Sequence, residues 1–271
     1  MQPDLSWSPT PWILASSAAL FGTYAWRWAK VRRAAGPRRA AEAPVWRLAC
    51  AGGALVVLLG ALISPLDSLA EQLFFMHMVQ HVLLLDLFPI LAIVALTKVI
   101  LRPLTRSVST LERRAGPLAH PAFAVIAYVG VIWAWHIPAA YDAAARHEGI
   151  HALEHVSFLA VGTLYWWHLF SPIRARLRLG GLGPVAYMAS TKLFVGALGM
   201  FLAFAPSTLY PFYAHQPRVW GVSAGEDQAI AGLIMAVEQS LVMGIALVVL
   251  FVRALAESER AEQRRERLEV V

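Results

Sequence analysis

Long apolar stretches alternate with short polar segments along the whole chain. Each stretch is close to the roughly 20 apolar residues that a helix needs to cross a bilayer. The pattern predicts spans at about 11–29, 46–64, 73–96, 121–137, 150–170, 184–205 and 227–252. We therefore expect an all-α fold, a polytopic membrane bundle of seven transmembrane helices in which residues 1–271 form a single domain.

The composition supports a membrane protein. Hydrophobic residues make up 58% of the chain and charged residues 15%, and the mean hydropathy is +0.57, too apolar for an ordinary soluble domain. The first residues, MQPDLSWSPTPW, have neither the positive segment nor the cleavage site of a signal peptide, so we expect the first stretch to remain a helix. The single cysteine, Cys50, excludes an internal disulfide framework and argues against a thiolate metal site.

Basic residues divide the polar segments into two classes. They concentrate after the first, third and fifth stretches and in the charged tail 254–271, whereas the opposite segments hold only Arg146 and Arg218. The positive-inside rule therefore predicts a cytoplasmic C-terminus and an N-terminus outside. The net charge of +6 then reflects topology and attraction to anionic membrane lipid, and it requires no nucleic-acid partner. The basic set is Lys30, Arg32, Arg33, Arg38, Arg39, Arg47, Lys98, Arg102, Arg106, Arg113, Arg114, Arg174, Arg176 and Arg178, with Arg253, Arg260, Arg264, Arg265 and Arg267 at the C-terminal end.

Five histidines fall at one predicted membrane depth. His77 and His81 are four residues apart, as are His151 and His155, and this spacing puts each pair on one helix face. His136 stands at the outer end of the fourth stretch. An imidazole within a span marks a functional site by default and is a common ligand for copper, zinc and haem iron. We predict a metal site near the outer face, with the two pairs as ligands and His136 as an auxiliary ligand. Interhelical hydrogen bonding is the structural alternative.

The remaining histidines are expected to play no part in this site. We expect His147 and His215 to be solvated loop residues, and the topology places His120 and His168 at the cytoplasmic end. The methionines near the site favour Cu(I) by their thioethers, although core packing is their commoner role; they are Met76, Met78, Met200 and Met235. Ordinary interface residues are expected in the segment before the last stretch, at Tyr210, Tyr213 and Trp220.

Acidic residues lie close to the predicted site or within spans. Glu154 lies between the second histidine pair and is expected to orient an imidazole through its other ring nitrogen. Asp227 opens the last stretch and can cap that helix. Asp86 and Glu238 lie inside spans, where a carboxyl group must be protonated, paired or bound to a cation, and Lys192 is a possible partner. Asp227 and Glu238 are thus auxiliary candidates for the site.

The ordered set of motifs resembles the seven-span CtaG-type cytochrome c oxidase assembly proteins, not the unrelated single-span copper chaperone of the same name. The matching pieces are HMVQH at 77–81, WHIPAAY at 135–141, HALEH at 151–155, LYPFY at 209–213 and EDQAIAGLIM at 226–235. Asp86 departs from the pattern, since an apolar residue or methionine is expected there. The resemblance implies a multi-pass protein of the bacterial plasma (inner) membrane. It also implies that the partner is the catalytic subunit of a haem–copper oxidase, at formation of its buried copper centre.

The leading hypothesis is a non-enzymatic assembly factor that handles copper, as Cu(I), at the histidine site. One alternative is a membrane cytochrome with haem held between histidines of two helices. Another is a metal-dependent membrane enzyme that binds iron or zinc through Glu148, His151, Glu154 and His155. An optical spectrum and a metal analysis separate these alternatives, and a purely structural role predicts no metal at all.

Overall fold

The computed structural model describes residues 2–34, 43–173 and 179–269, and in this part of the chain every long element is a helix and no strand occurs. The predicted all-α class is confirmed. The helices are α1 (Pro11–Arg33), α2 (Val45–Leu62), α3 (Pro65–Gln72), α4 (Phe74–Ala95), α5 (Thr105–Ala115), α6 (Pro121–Trp135), α7 (Pro138–Arg146), α8 (Glu148–Phe170), α9 (Gly183–Phe204), α10 (Pro211–Ala214) and α11 (Ala224–Glu269).

A helix occupies each of the seven predicted segments, but the helices are not equally apolar. Among the described residues, α2, α4, α9 and α11 are long and apolar enough to cross a membrane, and the pair α5–α6, bent by 70°, adds a fifth candidate. Helices α1 and α8 have 23 residues each. Basic residues end α1, and histidine and glutamate interrupt α8. Several membrane-spanning helices are therefore supported, and the count of seven stays a prediction.

The outer surface of the long helices is apolar. Val56 is 70% exposed, Leu193 67% and Val248 63%, and a soluble protein rarely exposes such continuous apolar surface. The interior is rich in aromatic side chains, with Trp166 and Tyr128 fully buried. This distribution is what a bundle surrounded by lipid requires, because lipid tails carry no penalty for apolar contact.

Helix α4 is interrupted by a π-helical turn at Leu83–Leu87. Pro89 has no amide hydrogen and cannot continue the regular ladder of helical hydrogen bonds. The N–H of Phe88 instead donates to the carbonyl of Leu83, five residues earlier. This wider turn shifts the helical register, and it turns the buried Asp86 towards the interior of the bundle.

Glycines allow the helices of the interior to approach closely. A Cβ atom at Gly162 of α8 would overlap the carbonyl of Leu85 in the π-helical turn. Gly199 of α9 and Gly232 of α11 also face each other. A Cβ atom on either glycine would overlap the backbone of the other. Small residues at such contacts are typical of membrane helix pairs. The contact at Gly162 brings α8 against α4, the two helices that carry the histidine pairs.

Basic side chains hold the end of α4 that is remote from its histidines. Arg47 donates from one nitrogen to the carbonyls of Val94 and Leu96, both at 2.6 Å, and a cation is favourable at a helix C-terminus. Arg27 donates to the carbonyl of Val99. These contacts agree with the predicted basic side, and the orientation itself stays a prediction. Outside the described residues lie Arg38, Arg39, Arg174, Arg176, Arg178 and the last two residues of the predicted tail.

Candidate metal centre

The five predicted histidines meet at one end of the bundle, and we call them the histidine cluster: His77 and His81 from α4, His136 at the end of α6, and His151 and His155 from α8. The ring centroids of His77 and His151 are 5.3 Å apart, and those of His81 and His155 are 6.0 Å apart. His136 lies 6.4 Å from His81. The predicted meeting of the three helices is therefore observed, whereas the role of the side chains as metal ligands stays a prediction.

The cluster contains a set of buried atoms without hydrogen-bond partners among the described residues. Burial of an unpaired polar atom costs about 1–3 kcal/mol, so such atoms are rare in folded proteins. Here several converge on one small volume, an arrangement that a bound cation would satisfy. The atoms are His77 Nε2, His81 Nδ1 and Nε2, His151 Nε2, His155 Nε2, and both carboxylate oxygens of Glu154.

Glu154 lies on α8 about one helical turn after His151 and directly before His155. Its side chain is fully buried. Its Oε2 lies 3.6 Å from His77 Nε2, and its Oε1 lies 3.5 Å from His81 Nε2. A carboxyl group in such a place must be protonated, paired or bound to a cation. Glu154 is therefore placed where it could be a ligand, in addition to the predicted role of orienting an imidazole.

Two groups of side chains have the spacing that a metal ion requires. In each group the donor atoms lie within 4.8 Å of one another. One group is His77, His151 and His155, and the other is His77, His81 and Glu154. Metal bonds to nitrogen and oxygen of about 2.0–2.2 Å place donors at comparable separations around one ion. The donor set of imidazole and carboxylate suits a transition metal such as copper, zinc or iron.

Tyr213 fixes the orientation of His77. Its hydroxyl donates to the carbonyl of Ala70 and lies 3.2 Å from His77 Nδ1. Since the hydroxyl hydrogen is already used, the ring nitrogen is the donor in this contact. A neutral imidazole has one N–H, so Nε2 of His77 presents its lone pair to the cluster, as metal-binding histidines commonly do.

The expectation that Tyr210 and Tyr213 are ordinary interface residues is wrong. They are 2% and 4% exposed, and both pack on the ring of Phe74 beside the cluster. The hydroxyl of Tyr210 donates to the backbone carbonyl of His136, and the hydroxyl of Tyr213 contacts the imidazole of His77. The LYPFY motif was the available signal, but an aromatic motif alone does not separate a belt residue from a buried one.

Asp227 holds the helix that carries the first histidine pair. Its two oxygens accept the backbone N–H groups of Phe74 and Phe75, each at 2.9 Å. Asp227 therefore caps α4, and the interpretation that it caps its own helix is wrong. That role belongs to Ser223 and Glu226, which exchange hydrogen bonds as a capping box at the start of α11.

The buried Asp86 and the half-buried Glu238 form a second polar group, which we call the carboxyl pair. Asp86 Oδ1 accepts from Tyr128 and Trp166, both at 2.7 Å, and Glu238 lines the same cavity as Asp86. Lys192 donates to the carbonyl of Ala236 at 2.8 Å and to a serine hydroxyl. The structure thus places Glu238 against Asp86 and not in the histidine cluster.

The other histidines and Met200 lie outside the histidine cluster. His147 and His215 are exposed, as predicted. His120 caps α6 by accepting the N–H of Ala122, and His168 is half-buried near Tyr187. Met200 is 47% exposed, so its expected packing role in the core is wrong.

Two cavities adjoin the cluster on opposite sides. A cavity of about 80 Å³ begins among the exposed residues His147 and Glu148 and reaches His77 and His151; Glu71 also lines it. Partial burial and the nearby Asp67 carboxylate raise the pKa of Glu71 above its ordinary value. The second cavity, of about 30 Å³, runs from the other side of the cluster to the carboxyl pair.

Comparisons with known proteins bear on the identity of this arrangement. A Mycobacterium leprae (strain TN) protein, described only as uncharacterized protein ML1998, is 22% identical over 277 residues. The match covers 94% of this chain and 40% of that protein, so the chain spans about two fifths of the length of the curated relative that it matches. No solved structure matches the chain.

The match to a protein-family profile includes the whole histidine cluster. The profile of the cytochrome c oxidase caa3 assembly factors (Caa3_CtaG) matches residues 22–257, a range that contains every histidine of the cluster, Glu154, Tyr213 and Asp227. With the buried cluster, its motifs and most of the chain inside the match, the protein belongs to the cytochrome c oxidase caa3 assembly factor family.

Proposed function

We propose that this assembly factor holds a copper ion, as Cu(I), in the histidine cluster and passes it to the catalytic subunit of a haem–copper oxidase. The observation that carries the proposal is the fully buried carboxylate of Glu154, which faces the Nε2 atoms of His77 and His81 on α4; neither nitrogen has a hydrogen-bond partner among the described residues. His77, His81, His151 and His155 are the proposed ligands, and His136 is auxiliary. The role is one of transfer and not of catalysis.

The charge of the site supports a monovalent cation. Glu154 contributes one negative charge, the imidazoles are neutral when they bind metal, and Cu(I) completes a neutral buried group. A neutral group avoids most of the cost of placing an isolated charge in a low-dielectric interior. Because the ligands are nitrogen and oxygen atoms and not thiolates, we expect binding of moderate strength, which transfer to another protein requires.

The route of the ion follows from the cavity that opens beside His147 and Glu148. With seven spans and an N-terminus outside, this opening faces the outer aqueous phase. Glu71 and Glu148 place carboxylates at the opening, and carboxylates raise the local concentration of cations. Copper then enters from outside the membrane and reaches His77 and His151 first. The oxidase subunit would receive it at a similar membrane depth.

A test of this function uses cells that lack the protein. Their oxidase should contain haem but little copper at the buried centre, and the intact gene should restore both copper and activity. His77→Ala and His155→Ala should each fail to restore copper although the protein accumulates in the membrane. His168→Ala is the matched control and should restore it. Full copper occupancy in the oxidase of the deficient cells would contradict the proposal.

A second candidate is a metal-dependent membrane enzyme, which the group of His77, His81 and Glu154 favours. Two imidazoles with one carboxylate are a frequent ligand set of catalytic zinc and iron. Metal analysis of the purified protein distinguishes the two candidate functions. The enzyme should contain stoichiometric zinc or iron, and the assembly factor should contain copper. The haem alternative is less well supported by the packing, because the cavities beside the cluster are about 30 and 80 Å³, far smaller than a porphyrin.

A further inference from the structure

A contact on the inner side of the histidine cluster joins a nitrogen and a sulfur atom. His136 Nε2 lies 3.4 Å from Met78 Sδ. Both side chains are buried, with exposed fractions of 7% for His136 and 1% for Met78. The backbone of His136 is held in place, because the hydroxyl of Tyr210 donates to its carbonyl. The two atoms are therefore brought together by fixed elements and not by a loose surface loop.

This contact is not a hydrogen bond. His136 Nδ1 lies 2.7 Å from the carbonyl oxygen of Ile132, and a carbonyl can only accept, so Nδ1 carries the hydrogen. A neutral imidazole has a single N–H, which leaves a lone pair on Nε2. A thioether sulfur also offers only lone pairs. Two acceptors with no proton between them are thus directed towards the same buried place.

A nitrogen and a thioether at this separation suit a soft cation. Bonds of about 2.0 Å to nitrogen and 2.3 Å to sulfur leave the two donors about 3.5 Å apart when they meet an ion at a tetrahedral angle. Thioether and imidazole together favour Cu(I) over the harder divalent metals. The cavity of about 30 Å³ that these two side chains line is large enough for one ion or one water molecule.

The position lies next to the histidine cluster and further from the entrance. His81 lines the same cavity, and both of its ring nitrogens are without partners among the described residues. The cavity continues to Met235 and to the carboxyl pair. His81 therefore adjoins two sets of side chains. One is His77 with Glu154, and the other is His136 with Met78.

We propose that His136 and Met78 form a second, softer Cu(I) position, to which the ion moves from the rest of the histidine cluster through His81. This inference rests on the proposed function, because it assumes that copper reaches the cluster. It assigns Met78 the role of a ligand, although packing is the ordinary role of a buried methionine. It also separates His136 from the four other histidines, as the nitrogen of a mixed nitrogen–sulfur position.

X-ray absorption at the copper edge tests the inference on the purified full-length protein. With one equivalent of Cu(I) under reducing conditions, we expect a sulfur neighbour at about 2.3 Å in addition to nitrogen. Met78→Leu nearly conserves side-chain volume and should remove the sulfur neighbour while one copper ion stays bound through nitrogen and oxygen. Met200→Leu, at an exposed position, is the matched control and should keep the sulfur neighbour. Loading with Cu(II) should give nitrogen and oxygen neighbours alone.

Two results would overturn the inference. One is a Cu(I)-loaded parent protein with nitrogen and oxygen neighbours only, which leaves the proposed function standing. The other is a sulfur neighbour that survives in Met78→Leu. If the parent protein binds no copper at all, the proposed function fails together with this inference.

Discussion

The carboxylate of Asp227 accepts both backbone N–H groups that open α4, those of Phe74 and Phe75. Asp227 and Phe74 are 153 residues apart in the chain. The first turn of the last helix thus fixes the start of the helix that carries His77, only three residues beyond Phe74. A carboxylate at this point also interacts favourably with the positive end of the helix dipole. The cap therefore sets the height and rotation of the first histidine pair.

Asp227→Asn should loosen this cap. An amide has one acceptor oxygen and no charge, so one hydrogen bond is lost and the other is no longer charge-assisted, and we expect a loss of about 1–2 kcal/mol in stability. Copper affinity should fall as well, because His77 and His81 are then less well placed. Unfolding and copper binding in mild detergent measure the two effects. Glu226→Gln is the matched control, since Glu226 caps only α11, and it should leave copper binding unchanged. Equal effects of both variants would contradict the role assigned to Asp227.

Tyr213→Phe should weaken copper binding without unfolding the protein. The change removes the hydroxyl that accepts from His77 Nδ1, so the imidazole is no longer held with Nε2 towards the cluster. Loss of such an orienting partner typically lowers metal affinity about 10–100-fold. Competition with a Cu(I) chelator measures the affinity. Tyr187→Phe removes an equally buried hydroxyl that bonds the carbonyl of Tyr165, away from the cluster. That control should bind copper like the parent protein.

Gly162→Ala should separate α8 from α4. The added methyl group would overlap the carbonyl of Leu85, and overpacking of this kind costs about 1–3 kcal/mol. We expect lower thermal stability and weaker copper binding, since the two histidine pairs are on these helices. Gly130→Ala on α6 adds a methyl group where no atom lies within 4 Å, and its stability should be unchanged or higher. A silent Gly162→Ala would show that the close contact is absent.

The orientation of the chain can be tested with reporter fusions. Fusions near residues 36, 110 and 178 should report the cytoplasm, and fusions near 143 and 215 the outside, because Lys and Arg are concentrated in the first group of segments. A cytoplasmic signal at residue 143 would place the cavity beside His147 on the cytoplasmic side of the membrane. Entry of copper from the outer aqueous phase would then be excluded.

The sequence predicted those features that depend on neighbouring residues or on the average hydropathy of a segment. The apolar stretches coincide with helices, and the four-residue spacing put His77 beside His81 and His151 beside His155. The common depth of the five histidines followed from the direction of each helix. The contacts of Asp227 and Tyr213 were not predictable, because each depends on a partner distant in sequence. The π-helical turn was also missed, since Pro89 indicates a break in the ladder but not the form that it takes.

The copper content of the purified protein tests the central claim most directly. Reduced protein in mild detergent should bind about one Cu(I), and binding should weaken as the pH is lowered, since protonated imidazole cannot coordinate. The double variant His77→Ala/His81→Ala should lose most of the binding, because the remaining histidine pair on α8 offers too few ligands to hold copper against a chelator. Copper binding by the double variant equal to that of the parent would contradict the account, and so would a parent protein that carries stoichiometric haem with an intense Soret band.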